Sequence, residues 1–169
     1  MNKISLSIKL YGELRDKFSY KRIDAGIPNT IKLEIIGFRT VLDILKQLGI
    51  DENEISHIFV NGIYSGAGKL VKDGDRIGIF PKRMGLMFLE ITKIKSIYAK
   101  ITLHEDLSKF GPTESIVELP EGSTINSVLN KYNLSKKRDK IEVIVNGTLI
   151  HEQDYIIKDW DNIAFFPLE

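Results

Sequence analysis

The sequence predicts an α+β protein made of two tandem small domains. An order of strand, strand, helix, strand, strand runs through the chain twice. Each copy then closes on an Asn-Gly turn, an acidic turn and a strand ending in Phe-Pro: IFVNGIYSGAGKLVKDGDRIGIFPKRMG in the middle and IVNGTLIHEQDYIIKDWDNIAFFPLE at the end. A length of 169 residues would suit one ordinary domain or two small ones, so the repeat decides for two.

The elements follow from their periods. Ile4, Leu6, Ile8 and Leu10 recur at every second residue, which places all four on one face of a strand. Ile31, Leu33 and Ile35 repeat the pattern in TIKLEIIG. In TVLDILKQLGI, Val41, Leu42, Leu45 and Leu48 fall at helical spacing and Gly49 is placed to cap the C-terminus, for a helix of about three turns. HIFVNG then supplies a strand and an Asn-Gly turn, and DGDRIGIFP an acidic turn and a last strand ended by Pro81.

In the second copy Ile97, Ala99, Ile101 and Leu103 alternate in the same way, and SIVELPEGSTINSVLNKYNL gives a strand, a turn, a Ser123 or Thr124 cap and a short helix. IEVIVNG and DWDNIAFFP complete it. Thr40 aligns with Thr124, Leu45 with Leu129, Asn61-Gly62 with Asn146-Gly147, Asp75 with Asp161 and Pro81 with Pro167. The first copy is longer only at YKRIDAGIPN, a loop insertion of the kind a fold tolerates at little thermodynamic cost. The expected boundaries are 1–85, an apolar connecting segment 86–95, and 96–169. Leu86, Met87, Phe88, Leu89 and Ile91 are too apolar for a solvated linker, so the segment is expected to pack between the copies or lengthen a strand and to couple them rigidly.

Composition narrows the chemistry. Apolar residues at 43% and charged ones at 28% are those of a folding chain. A net charge of +1, without a dense Lys/Arg run interleaved with aromatics, argues against nucleic-acid binding. Zero cysteines exclude disulfides, thiolate nucleophiles and cysteine-held zinc or iron–sulfur sites. The alternating N-terminus MNKISLSIKLYGEL has no leader pattern and no stretch reaches spanning length, so no membrane partner and a cytoplasmic location are expected.

With VELPEGSTINSVL, VNG twice, LVKDGDRIGIFP and IIKDWDNIAFFP in this order, the chain resembles the ubiquitin-like β-grasp fold, and within it the sulfur-carrier proteins: the small subunit of molybdopterin synthase and the thiamine-pathway carrier. The resemblance implies two β-grasp domains, each a mixed sheet packed on one main helix. It also implies protein partners, either a larger enzyme subunit or an activating-enzyme-like protein, bound through the last strand and the neighbouring sheet surface. Such carriers end in Gly-Gly, whose carboxylate is adenylated and exchanged for a thiocarboxylate; glycines let the tail thread a narrow channel. Here Leu168 and Glu169 follow Pro167, and Lys82, Arg83, Met84 and Gly85 follow Pro81 before the chain continues into Leu86. The expectation is therefore a non-catalytic protein-binding or adaptor module with no cofactor, set near molybdenum- or tungsten-pterin enzymes or their cofactor biosynthesis. The alternative is a sulfur carrier for molybdopterin-type cofactor or thiamine biosynthesis, whose first domain is released by cleavage after Gly85.

Candidate contact residues are Phe80, Lys82, Arg83, Trp160, Phe165 and Phe166, with the patch centred on Phe80, Phe165 and Trp160. By alternation Phe165 and Phe166 point to opposite faces of their strand, one into the core and one outward. Trp160 stands between two aspartates in a turn, where it either packs over the edge of the second core or meets a partner. GAGKL at 66–70 lacks the glycine spacing and the Ser/Thr of a phosphate loop and reads as a turn. Asp73, Asp75, Asp159 and Asp161 read as turn formers, not metal ligands. His57, His104 and His151 are scattered and form no repeated catalytic order. Tyr11 and Tyr98 are strand aromatics that could serve as exposed anchors.

Overall fold

A computed structural model describes residues 3–21, 29–37, 39–84, 94–152 and 154–168. The chain divides into two compact units, 1–95 and 96–169. Each unit has its own apolar core.

The first unit contains β1 (Lys3–Leu10), β2 (Asn29–Ile36), β3 (Arg39–Thr40), α1 (Val41–Leu48), β4 (Ile55–Val60), β5 (Ile63–Ser65), β6 (Leu70–Val71) and β7 (Arg76–Pro81). The second contains β8 (Ser96–Leu103), β9 (Glu114–Pro120), α2 (Ile125–Lys131), β10 (Ile141–Val145), β11 (Thr148–Ile150) and β12 (Asp161–Pro167). The first sheet runs β2-β1-β7-β4-β5 and the second β9-β8-β12-β10-β11, which is the same topology. In each, the first strand lies parallel to the last and every other pairing is antiparallel, so both sheets are mixed. Parallel pairing of first and last strands forces the chain to cross over between them, and the helix is that crossover.

Alternation sends one face of each sheet onto the helix. Leu6, Ile8, Leu10, Ile77 and Ile79 meet Val41, Ile44 and Leu45 in the first core. Ile97, Ala99, Ile101, Leu103, Ile163 and Phe165 join Ile125, Val128 and Leu129 in the second. Helix starts are fixed by capping boxes at Thr40 with Asp43 and at Thr124 with Ser127. Gly49 caps α1 in the left-handed region at φ 66°, as the sequence predicts. The helix itself is eight residues, closer to two turns than to the expected three.

Two expectations fall largely beyond the described residues: the longer loop 20–29, of which 22–28 are not described, and the packing of segment 86–95. From the latter, Ile94 makes a parallel bridge with Tyr64 at the edge of the first sheet.

Candidate functional site

In both units the turn residues that the sequence repeats do the same structural work. Asn61 donates from Nδ2 to Asp75 Oδ1 at 2.7 Å and accepts the Arg76 amide at 2.9 Å. Asn146 does the same with Asp161 and the Asn162 amide, at 2.7 and 2.9 Å. Asp75 also accepts the Lys72 amide and Asp161 the Lys158 amide. Asp73 and Asp159 accept the amides of Ser5 and Tyr98 on the neighbouring strand. The carboxylates are thus committed to backbone donors. Among the described residues no cluster of three or more His, Asp or Glu has a metal-binding arrangement. The GAGKL loop is structural as well: its Lys69 and Ala67 carbonyls accept the first two amides of α1, Val41 at 2.9 Å and Leu42 at 2.7 Å. The first two amides of α1 and the Lys69 amide, which donates to Gly66 O, are thereby already used.

What distinguishes these units is the sheet face turned away from the helix. Ile77 and Ile79 point into the first core, so Gly78 and Phe80 point outward. Phe80 is only 8% exposed, yet it is no part of the helix-side core. Its ring stacks on Tyr11 at 4.1 Å and 8°, and meets Phe59 edge-on at 5.7 Å. Phe59 in turn meets Tyr64 at 5.7 Å, and Tyr64 meets His57 at 5.5 Å. Register sets this cluster: His57 faces Phe80 across β4 and β7, Phe59 faces Gly78, and Tyr64 faces Phe59 across β5. Burial lowers the pKa of His57 and raises that of Tyr64, and His57 Nδ1 is buried without a hydrogen-bond partner among the described residues.

The second unit repeats the stack. His104 donates its amide to Phe165 O at 3.0 Å just as Tyr11 donates to Ile79 O at 3.1 Å, so His104 occupies the place of Tyr11 and Phe166 that of Phe80. Their rings lie 4.0 Å apart at 9°. Beside them Ala164 replaces Gly78, Ile144 replaces Phe59 and Leu149 replaces Tyr64, by register. This face is therefore aliphatic around one aromatic pair, with Leu149 40% exposed.

Phe165 and Phe166 do point to opposite faces. Phe165 is 0% exposed inside the second core, which corrects its assignment as a contact residue: it has no side-chain surface to offer. Trp160 is 62% exposed and stacks on exposed Tyr98 at 5.6 Å, outside the second core. It precedes β12 whereas Phe166 lies near the strand's end, about 20 Å away along it. A patch centred on Phe165 and Trp160 is thus not formed. Lys82 and Arg83 are exposed and line an open cleft of about 430 Å³ with Glu13, Leu14, Lys17, Asn53 and Glu54. In it Lys17 pairs with Glu54 at 2.6 Å, and this hydrogen bond holds the Glu54 carboxyl below the usual range. Gly85 lies outside the described residues. The sequence reading passed over His57, Phe59, Tyr64 and His104 as a set; the signal for the first two was an aromatic period of two on the polar side of ISHIFV.

Residues 3–86 match the family model described as Mut7-C ubiquitin, and residues 102–168 match that of the ThiS family. Among solved structures, the chain is similar to a protein described as a candidate molybdopterin converting factor, subunit 1, from Pyrococcus furiosus, with 21% identity over 43% of this chain and 99% of that one and a TM-score of 0.37. It is similar to the small archaeal modifier protein 1 of Haloferax volcanii at 18% identity, over 43% of this chain and 99% of that one, with a TM-score of 0.37. A ubiquitin-like domain of an Arabidopsis thaliana protein matches at 14% identity over 51% of this chain and 94% of that one, with a TM-score of 0.33. No curated protein matches. No helix among the described residues is long and apolar enough to cross a membrane.

Proposed function

We propose that this chain, whose residues 3–86 and 102–168 match the Mut7-C ubiquitin and ThiS family models, is a tandem sulfur-carrier-like β-grasp protein that works by binding a protein partner through the outer faces of its sheets, without catalysing a reaction itself. The observation that carries this reading is the aromatic stack repeated on the outer face of each sheet, Tyr11 on Phe80 and His104 on Phe166. Tyr11, His104 and Phe166 are half-buried and keep ring surface for docking, with Phe80, 8% exposed, as the support beneath Tyr11, and such compact apolar anchors lose little side-chain entropy on docking. The partner would be a larger enzyme subunit or an activating-enzyme-like protein, in the setting of molybdenum- or tungsten-pterin enzymes or their cofactor biosynthesis. Within the first domain the stretch after Pro81 runs on from Gly85 into Leu86, so Gly85 has no carboxylate that ATP could activate.

Gly85, the glycine that follows the first Phe-Pro, favours one second reading, a sulfur carrier whose first domain is released by cleavage after it. One experiment separates them: the protein is incubated with an activating enzyme, ATP and a sulfur source, then complex formation and intact mass are read. Binding alone gives a complex, an unchanged mass, and affinity about tenfold weaker or worse for Phe166→Asp. A mass gain equal to sulfur replacing oxygen, or a species ending at Gly85, overturns the binding-only reading.

A further inference from the structure

Five of the eight basic residues of the second domain lie on two short 3-10 segments, Glu105–Phe110 and Ser135–Lys140, which also carry the acidic Glu105, Asp106 and Asp139. The second reads SKKRDK. The two segments meet over one ring: Lys137 Nζ is 4.8 Å and Lys109 Nζ 5.7 Å from the centroid of Phe110, which is half-buried against the second core. Two ammonium groups are thereby drawn toward one quadrupole although they repel each other. Among the described residues Lys109 pairs with Asp106, at 3.7 Å and solvent-exposed, and such pairs contribute little. Lys136 and Lys140 are exposed and make no ion pair among the described residues.

The display is rigidly supported. Arg138 turns away from the patch and donates to the carbonyls of Ile141 at 2.9 Å and His151 at 3.4 Å. The Lys137 amide donates to Leu134 O, and the Leu168 amide to Lys140 O. At the corresponding place in the first domain the chain is acidic instead: Asp51, Glu52 and Glu54 precede β4, and Glu54 is neutralised by Lys17. The two segments together carry a net charge of +2 in a domain, 96–169, whose net charge is −4, so the local excess stands against the charge of the rest of that domain.

We infer that this end of the second domain docks an acidic segment of a protein partner, with carboxylates bridging Lys109 and Lys137, Lys136 and Lys140 flanking them, and Phe110 as the apolar floor. The inference deepens the protein-binding reading and rests on it. A nucleic acid fits less well. The local guanidinium is spent on carbonyls, so no bidentate fork faces a phosphate, and Phe110 is half-buried beneath ammonium groups, where a base could not stack.

An oligoglutamate peptide titrated into the full chain tests this, read by amide chemical shifts and calorimetry at low and high salt. Expected are shifts confined to 105–110 and 135–140, and binding that falls steeply with salt. Lys109→Glu with Lys137→Glu should weaken affinity about tenfold or more, while the same charge change at Lys32 and Lys72 of the first domain leaves it unaltered. Lys109→Gln with Lys137→Gln, which only removes charge, should give a smaller loss with an unchanged circular dichroism spectrum. Absence of shifts, equal weakening by the first-domain pair, or a single-stranded oligonucleotide binding more tightly than the peptide overturns it. A sulfur gain in the mass experiment would overturn the binding-only reading and leave this surface standing.

Discussion

Trp160 occupies a backbone position that its duplicate gives to glycine. Gly74 has φ 81° and Trp160 φ 63°, and the amides of both donate to the neighbouring strand, to Ser5 O at 2.8 Å and Tyr98 O at 2.6 Å. A Cβ on Gly74 would meet nothing within 4 Å, so space does not forbid a side chain there. The left-handed region does disfavour one, by about 1 kcal/mol. Stacking on Tyr98 offsets part of that cost. Trp160→Gly is therefore expected to stay within about 1 kcal/mol of the natural protein, whereas Trp160→Ala keeps the strain, loses the stack and should be about 1 kcal/mol less stable than Trp160→Gly. Urea unfolding of the two variants checks this, and equal midpoints would refute it. By contrast Asp161, buried at 4% exposure, accepts from Asn146, Tyr155 and the Lys158 amide, so its conservative-looking turn is tightly built.

At the level of the strand, β4 carries a titratable group into an aromatic layer. His57 stands opposite Phe80 and beside Tyr64, with Nδ1 buried and, among the described residues, unpartnered. Burial depresses its pKa in the folded state below the unfolded value of about 6.5, so folding favours the neutral ring. That stabilisation is fully present above the unfolded pKa and is lost as the pH falls through the folded one. Glu54, one residue before the same strand, acts in the same direction at lower pH, because its Lys17 hydrogen bond depresses its pKa. The unfolding midpoint of the first domain should drop between about pH 7.5 and 5.5, and His57→Phe, which suits the layer, should flatten that dependence. If the slope survives the substitution, the histidine is not its source.

For the whole molecule, the two cores are separate and each is closed by its own crossover helix. Residues 96–169 alone should therefore fold cooperatively, with a modest stability of about 3–5 kcal/mol set by the small core. Dispersed amide resonances and a single unfolding transition are the expected outcome; a collapsed spectrum would mean that the second core depends on the first. This size also explains the tight turn chemistry, since a small domain cannot lose a cap or an Asn–Asp bond cheaply.

The chain by itself determined the duplication, the strand and helix periods, the Gly49 cap and a cap at Ser123 or Thr124, because these depend on neighbours only a few residues apart, whereas the structure chose Thr124 of the two and added the Thr40 box. It also determined that Phe165 and Phe166 diverge, since alternation is a local property. Which of the two is inside depended on the register of β12 against β8 and β10. The pairing of Tyr11 with Phe80 and His104 with Phe166 needed the parallel contact of first and last strands, more than sixty residues apart along the chain. Likewise, two lysines from distant turns meet over Phe110 only once β8 and β10 have brought those turns to one end of the sheet. Local periodicity fixes faces, whereas long-range strand order decides which faces share a surface.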